Sequence, residues 1–171
     1  MAYVKWAISL LVSLTFGLML TVADVAIAAD PAVLVKVGLN PVGSFEMKSD
    51  HVEGMGKKTG DQYSAKTIKV AVQSLNTGMS LRDTHMKEKL EGTKYKYIMV
   101  SDIKASGGSG TAKITIRNVT KDISFDYKDL GTSRAEATFK LNLKDFEFTG
   151  INYKGVGVED EVEVTARVPY Q

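Results

Sequence analysis

The segment GVEDEVEVTARV, residues 157–168, alternates apolar and polar side chains more regularly than any other part of the chain. A strand directs successive side chains to opposite faces, so the apolar set lies on one face and most of the acids on the other. One buried and one solvated face is typical of an antiparallel sheet, so the segment predicts an all-β fold. The apolar set is Val158, Val162, Val164, Ala166 and Val168.

The same period of two recurs along the chain from residue 30 onward. Turn-forming residues such as Asn40-Pro41 and Gly107-Gly108 separate the alternating runs. The pattern predicts roughly eight antiparallel strands arranged as a sandwich or barrel. The other runs are 33–39, 45–48, 68–73, 113–117, 122–128 and 134–143, with a less regular one at 95–103.

One segment, SLRDTHMKEKLE at residues 80–91, loses this alternation. Its apolar residues recur at roughly helical spacing, and Ser80 with Asp83 three residues later matches a helix cap and its partner. We therefore predict one short helix, in which Ser80 and Asp83 have structural roles. Its apolar stripe is expected to lie across a barrel mouth or against the barrel wall.

The first 28 residues are predicted to be a signal peptide. Lys5 precedes the uncharged run 6–23, and Ala26-Ile27-Ala28 has the small-residue spacing of a signal peptidase site. Cleavage after Ala28 would leave an exported domain of residues 29–171. A retained membrane anchor is the alternative, because an apolar run of this length just spans a bilayer.

The composition excludes several classes of chemistry. The 171 residues include 2 His and no Cys, which rules out disulfides, thiolate zinc sites, cysteine nucleophiles and a lipid-modified N-terminal cysteine. The 22 basic residues nearly balance the 20 acidic ones, so we expect no binding of nucleic acid. No catalytic arrangement is recognisable, and we predict a protein that is not an enzyme and holds no metal or cofactor.

Four stretches in order carry a family resemblance: SLNTGMSLRDTHM at 74–86, NVTKDISF at 118–125, Asp145-Phe146, and GVEDEV at 157–162. Together they resemble motifs of the YceI-like family of bacterial periplasmic polyisoprenoid-binding proteins. The resemblance covers nearly all of residues 30–171. It implies a lipocalin-like antiparallel barrel in the periplasm that encloses a long isoprenoid chain, and a homodimer, since members are often dimers.

Apolar residues at inward strand positions form the candidate ligand-contacting set. Small residues among the inward positions, such as Ala135, Ala137 and Ala166, would leave room inside an eight-stranded barrel. A packed core without ligand is the alternative interpretation of the same alternation. The predicted lumen residues are Phe45, Met47, Val70, Val72, Met99, Ile114, Ile116, Phe125, Tyr127, Phe139, Leu141, Val162 and Val164.

Three polar residues are candidates for further roles. Arg82 and His85 lie near the predicted helix start and would meet a quinone carbonyl or a pyrophosphate head group, or would only dock the helix. Asp160 falls on the apolar side of the last strand. We expect it at a barrel end or paired with a cation such as Arg82 or Arg117.

These observations predict a periplasmic binding or carrier protein that holds a polyisoprenoid (a quinone or isoprenyl lipid), or a similar long apolar lipid, in its barrel lumen. Such a protein would not insert stably into the membrane after signal cleavage. The alternatives are a packed-core periplasmic stress or interaction protein and a small outer-membrane barrel.

Overall fold

The computed structural model describes residues 30–153 and 155–171, and the predicted signal peptide lies outside this part of the chain. The described residues form ten strands and one α-helix, α1 Ser80–Lys89. The strands are β1 Val33–Asn40, β2 Ser44–Ser49, β3 Lys57–Thr59, β4 Gln62–Ala71, β5 Tyr97–Ser106, β6 Ser109–Ile116, β7 Val119–Asp129, β8 Arg134–Asn142, β9 Asn152–Tyr153 and β10 Val156–Pro169. Two 3₁₀ turns, Val72–Ser74 and Leu143–Phe146, follow β4 and β8.

The strands form a single curled sheet in the order β2-β1-β10-β8-β7-β6-β5-β4-β3, with β9 beside β10. Neighbouring strands in this order pair antiparallel, and Val164 of β10 lies between Val35 of β1 and Phe139 of β8. Val162 and Val164 are both buried, which matches the alternation that predicted this strand. The predicted all-β antiparallel fold with one short helix is confirmed.

Residues 44–59 connect the two edges of the curled sheet. The first part, β2, pairs with β1, whereas the last part, β3, pairs with β4. Between them Glu53 exchanges two backbone hydrogen bonds of 2.8 Å with Lys69 of β4. Counting β2 and β3 as halves of one closing segment and setting aside the two-residue β9 leaves eight long strands, in agreement with the predicted number.

A glycine permits this crossing from β1 to β4. Gly54 has a φ of +110°, and a Cβ atom there would lie 2.6 Å from the carbonyl oxygen of Thr67. Only a residue without a side chain accepts both the backbone conformation and the close approach. The closing segment therefore depends on glycine at this position.

The two 3₁₀ turns close one end of the barrel. Val72, Leu75 and Phe146 are each only 1% exposed and belong to the main hydrophobic core. The guanidinium of Arg117, between β6 and β7, donates a hydrogen bond to the carbonyl oxygen of Phe146 and stacks 4.4 Å from the ring centre of Phe148. Arg117 thus fixes the turn that follows β8, a role that the sequence pattern did not indicate.

The helix α1 begins differently from the prediction. Ser80 is its first helical residue, and Met79 occupies the N-cap position without a side-chain hydrogen bond, so the predicted Ser80 cap is wrong. Asp83 instead accepts hydrogen bonds of 2.7 Å from the backbone nitrogen and the hydroxyl of Thr77. Its carboxylate therefore stabilises the loop before the helix.

Candidate ligand cavity

The concave face of the sheet encloses a cavity of about 200 Å³. Its exposed lining is entirely apolar, and it runs along most of the length of the strands. Tyr63 and Val70 of β4 both line it, and these residues are about 23 Å apart along the strand at about 3.3 Å per residue. The shape is that of a narrow apolar channel.

Most of the predicted lumen residues contribute to this cavity. Phe45 and Val72 do not line it: Phe45 packs on the outer part of the core, and Val72 is buried in the 3₁₀ turn that closes one end. The predicted residues that do line the cavity are Met47, Val70, Ile114, Ile116, Phe125, Tyr127, Phe139, Leu141, Val162 and Val164.

Met99 lies outside the barrel, in contrast to the prediction. It is 37% exposed, whereas its neighbours Ile98 and Val100 line the cavity. The register of β5 against β6 shifts between Ser101 and Lys104, where Asp102 has a φ of +54°. Such a bulge exchanges the inward and outward positions of a strand. If one alternation pattern is applied to the whole strand, the residues on one side of the bulge are assigned to the wrong face.

Several of the residues that line the cavity are alanines, whose small side chains leave space inside the barrel. These alanines lie on four strands and are near the ends of β8 and β10 that face away from the two 3₁₀ turns. Large side chains such as Leu75, Phe146 and Phe148 fill the opposite end. The alanines that line the cavity are Ala65, Ala105, Ala135, Ala137 and Ala166.

Three tyrosines border the alanine-lined end of the cavity. The ring of Tyr63 contacts those of Tyr127 and Tyr170 edge to face, with 5.1 Å between ring centres in both pairs. The hydroxyls of Tyr63 and Tyr170 both donate to the carboxylate of Asp129, which also pairs with Lys58 at 2.6 Å. We call these five residues the tyrosine cluster. The three tyrosines line the cavity. The hydroxyls of Tyr63 and Tyr170 and the ammonium of Lys58 bind Asp129.

The predicted head-group residues lie on the helix, away from the cavity lining. The guanidinium of Arg82 stacks 4.2 Å from the ring centre of Phe45 and donates to the sulfur of Met79. His85 is exposed on the same helix. Phe45 packs against the hydrophobic core that includes lining residues, and neither Phe45 nor Arg82 lines the cavity itself.

Asp160 pairs with a different cation from those predicted. Its carboxylate lies 2.6 Å from the ammonium of Lys144, and its side chain is 53% exposed. The pairing of β1 with β10 passes from Val37–Val162 to Leu39–Val158, so β10 has two additional residues at this point. This irregularity turns Asp160 outward, and a pairing with Arg82 or Arg117 is wrong.

Residues 30–170 match the family model of the YceI-like domain. The chain belongs to the YceI-like domain family. The resemblance carried by the four sequence stretches is therefore confirmed. No curated protein gives a significant match to the chain.

Solved structures share the fold of this YceI-like domain at low sequence identity. A polyisoprenoid binding domain from Saccharophagus degradans has a TM-score of 0.58 and 15% identity, over 81% of this chain and 93% of that one. The YceI protein of Campylobacter jejuni has a TM-score of 0.53 and 18% identity, over 74% of this chain and 86% of that one. The architecture is thus that of a lipocalin-like YceI barrel.

The described residues offer neither a metal-binding cluster nor a membrane-spanning helix. Across residues 30–153 and 155–171, no group of three or more His, Asp or Glu side chains is arranged to hold a metal ion. None of the helices in the same ranges combines the length and the apolar character needed to cross a bilayer.

Hydrogen bonds within the tyrosine cluster shift the pKa values of its members. The Lys58 ammonium, with added hydrogen bonds from Tyr63, the Gly131 amide and Tyr170, holds the pKa of Asp129 well below its usual range. The hydrogen bond to Asp129 raises the pKa of Lys58 and also raises the pKa of Tyr170 to about 12. The hydrogen bonds within the tyrosine cluster are therefore strongest when Asp129 and Lys58 are charged and Tyr170 is neutral.

These shifts predict that the cluster stabilises the fold over a broad but bounded pH range. Because the pKa of Asp129 is lower in the folded state, its contribution is lost as the pH falls below about 4, the usual value of an Asp carboxyl. Because the pKa of Tyr170 is higher in the folded state, its contribution is lost as the pH rises from about 10 towards 12. We expect Asp129→Asn to lower the urea midpoint most at neutral pH and progressively less towards pH 3 and pH 11.

The matched control for this pH series is Asp122→Asn. Asp122 forms a single ion pair with Lys113 and its side chain is 82% exposed, so its replacement should change the midpoint little at any of these pH values. A difference between the wild type and Asp129→Asn that stays constant across the series would contradict the assignment of these protonation states.

Proposed function

We propose that this YceI-like domain binds a long apolar lipid of the polyisoprenoid class in its cavity and acts as a periplasmic binding or carrier protein. The observation that carries the proposal is the channel with an entirely apolar exposed lining. The fold likeness to a polyisoprenoid binding domain supports the same ligand class. The predicted signal peptide supports the periplasmic location.

The lining favours a hydrocarbon over a polar ligand on energetic grounds. Burial of a linear hydrocarbon contributes about 0.8 kcal/mol per CH₂, so an isoprenoid chain needs no polar contact in order to bind. A sugar or peptide in the same channel would leave donors and acceptors without partners, at a cost of about 1–3 kcal/mol each. The proposed role is binding alone and involves no reaction or cofactor.

Native mass spectrometry of the protein purified without detergent tests the proposal. We expect a stoichiometric apolar adduct, identified as an isoprenoid in an organic extract of the same sample. A bare mass from the native organism, together with no binding of added isoprenoid, would instead favour a packed core with a structural or interaction role. The periplasmic location and the signal cleavage are tested on a periplasmic extract. We expect the protein there to have the mass of residues 29–171.

We further propose that Arg82 contacts the head group of the bound lipid. We expect Arg82→Ala to weaken binding of a polyprenyl phosphate about two- to fivefold, the range of one exposed ion pair, without changing the binding of the uncharged polyprenol. The measurement is a titration with each lipid. Lys94→Ala is the control because Lys94, like Arg82, is a cation that lies over an aromatic ring. Equal weakening for both lipids would assign Arg82 a purely structural role.

A further inference from the structure

We propose that the tyrosine cluster forms the end wall of the channel and sets the longest hydrocarbon chain that the domain accepts. The inference rests on the proposed lipid-binding function and adds a determinant of ligand length. The residues that would contact the end of the chain are Tyr63, Tyr127 and Tyr170, which all line the cavity.

The position of the cluster makes it a boundary of the channel. Val72, Leu75 and Phe146 fill the opposite end with fully buried side chains. Between the two ends lie the alanines that leave the channel open, with Ala137 of β8 directly opposite Tyr127 of β7. A chain that extends through the alanine-lined part therefore meets the tyrosine rings.

The cluster is held by contacts from several separate parts of the chain. Asp129 at the end of β7 binds Lys58 of β3, Tyr63 of β4 and Tyr170 at the end of β10. The backbone adds a further connection, since Lys58 donates to the carbonyl oxygen of Gln171 at 2.8 Å. Because four elements share one carboxylate, no ring can move aside without breaking a charged hydrogen bond or an aromatic contact.

The surface that the cluster turns to the channel suits the apolar end of a ligand. The hydroxyls of Tyr63 and Tyr170 are occupied by Asp129, and the hydroxyl of Tyr127 is directed towards the carbonyl oxygen of Asp61 at 3.5 Å. The ring surfaces that remain offer contacts to hydrocarbon and no polar partner to a head group. The lipid tail therefore points to the tyrosine cluster.

A series of straight-chain fatty acids of increasing length tests the inference. In the wild type, affinity is expected to rise about fourfold per added CH₂ and to stop rising once the chain reaches the wall. In Tyr127→Ala, the rise should continue for at least two further CH₂ groups, giving about 16-fold tighter binding of the longer acids. This variant leaves all contacts of Asp129 in place.

Two further variants keep the test decisive. Tyr63→Ala removes the central ring and should extend the rise in the same way, which covers the case in which Tyr127→Ala fails to fold. Tyr97→Ala is the matched control, because Tyr97 is 37% exposed and does not line the cavity. We expect it to leave the length limit unchanged.

The outcomes separate this inference from the proposed function. A length limit that is present in the wild type and unchanged in both folded cluster variants would overturn the role of the tyrosines while leaving lipid binding intact. If the wild type binds no fatty acid and no isoprenoid of any length, the proposed function and the end-wall role are both wrong.

Discussion

Replacing Ala166 by Phe is expected to abolish retention of the lipid while the barrel still folds. Ala166 lies on β10 between Val33 of β1 and Ala137 of β8, and its small side chain borders the open part of the channel. A phenyl ring there would occupy space that the ligand needs. Exclusion of about four CH₂ groups weakens binding by about 200-fold at about 0.8 kcal/mol each.

The measurement pairs native mass spectrometry with thermal unfolding. We expect the adduct to disappear and the domain to remain folded, since overpacking costs about 1–3 kcal/mol and the ring enters an existing cavity. Thr165→Phe is the control: Thr165 is the next residue on the same strand and does not line the cavity. Retention of a full adduct by Ala166→Phe would place the ligand somewhere other than the channel.

Replacing Phe146 by Ala is expected to cause the largest loss of stability among the substitutions considered, about 3–5 kcal/mol of unfolding free energy. Phe146 is 1% exposed and fills the barrel end opposite the tyrosine cluster. Its truncation would remove a large buried surface and leave a cavity beside Leu75 and Val72, which are equally buried. Urea unfolding, monitored by circular dichroism, measures the loss.

The control for this substitution is Val42→Ala. Val42 is 85% exposed in the turn between β1 and β2, so its replacement should change the unfolding free energy by no more than about 0.5 kcal/mol. A loss below about 1 kcal/mol for Phe146→Ala would mean that this end of the barrel is less tightly packed than the structure indicates.

The candidate site was partly predictable because inward positions follow from local alternation. Val162, Val164, Phe139 and Leu141 line the cavity, and each lies in a run whose alternation is uninterrupted there. Met99 was assigned to the wrong face because its strand contains a bulge between Ser101 and Lys104. Nothing in residues 95–103 alone signals where the faces exchange.

The tyrosine cluster could not be predicted from local patterns. Asp129 and Tyr170 are far in the sequence from each other and from Lys58 and Tyr63. The four residues meet because β3, β4, β7 and the end of β10 reach the same end of the barrel. Asp160 illustrates the same limit, since its partner Lys144 depends on two additional residues in β10 opposite β1.

The sequence by itself determined the fold class, the helix location, the family and most of the buried face. The fold class, the helix and the buried face depend on the side-chain period of a strand or helix, which is a property of the local backbone. The family follows from the four motif stretches. The tertiary structure alone decided how residues 44–59 join β1 to β4, which face Met99 takes, and which residues end the channel. Those features depend on strand register and on contacts between distant segments, and no local period encodes either of them.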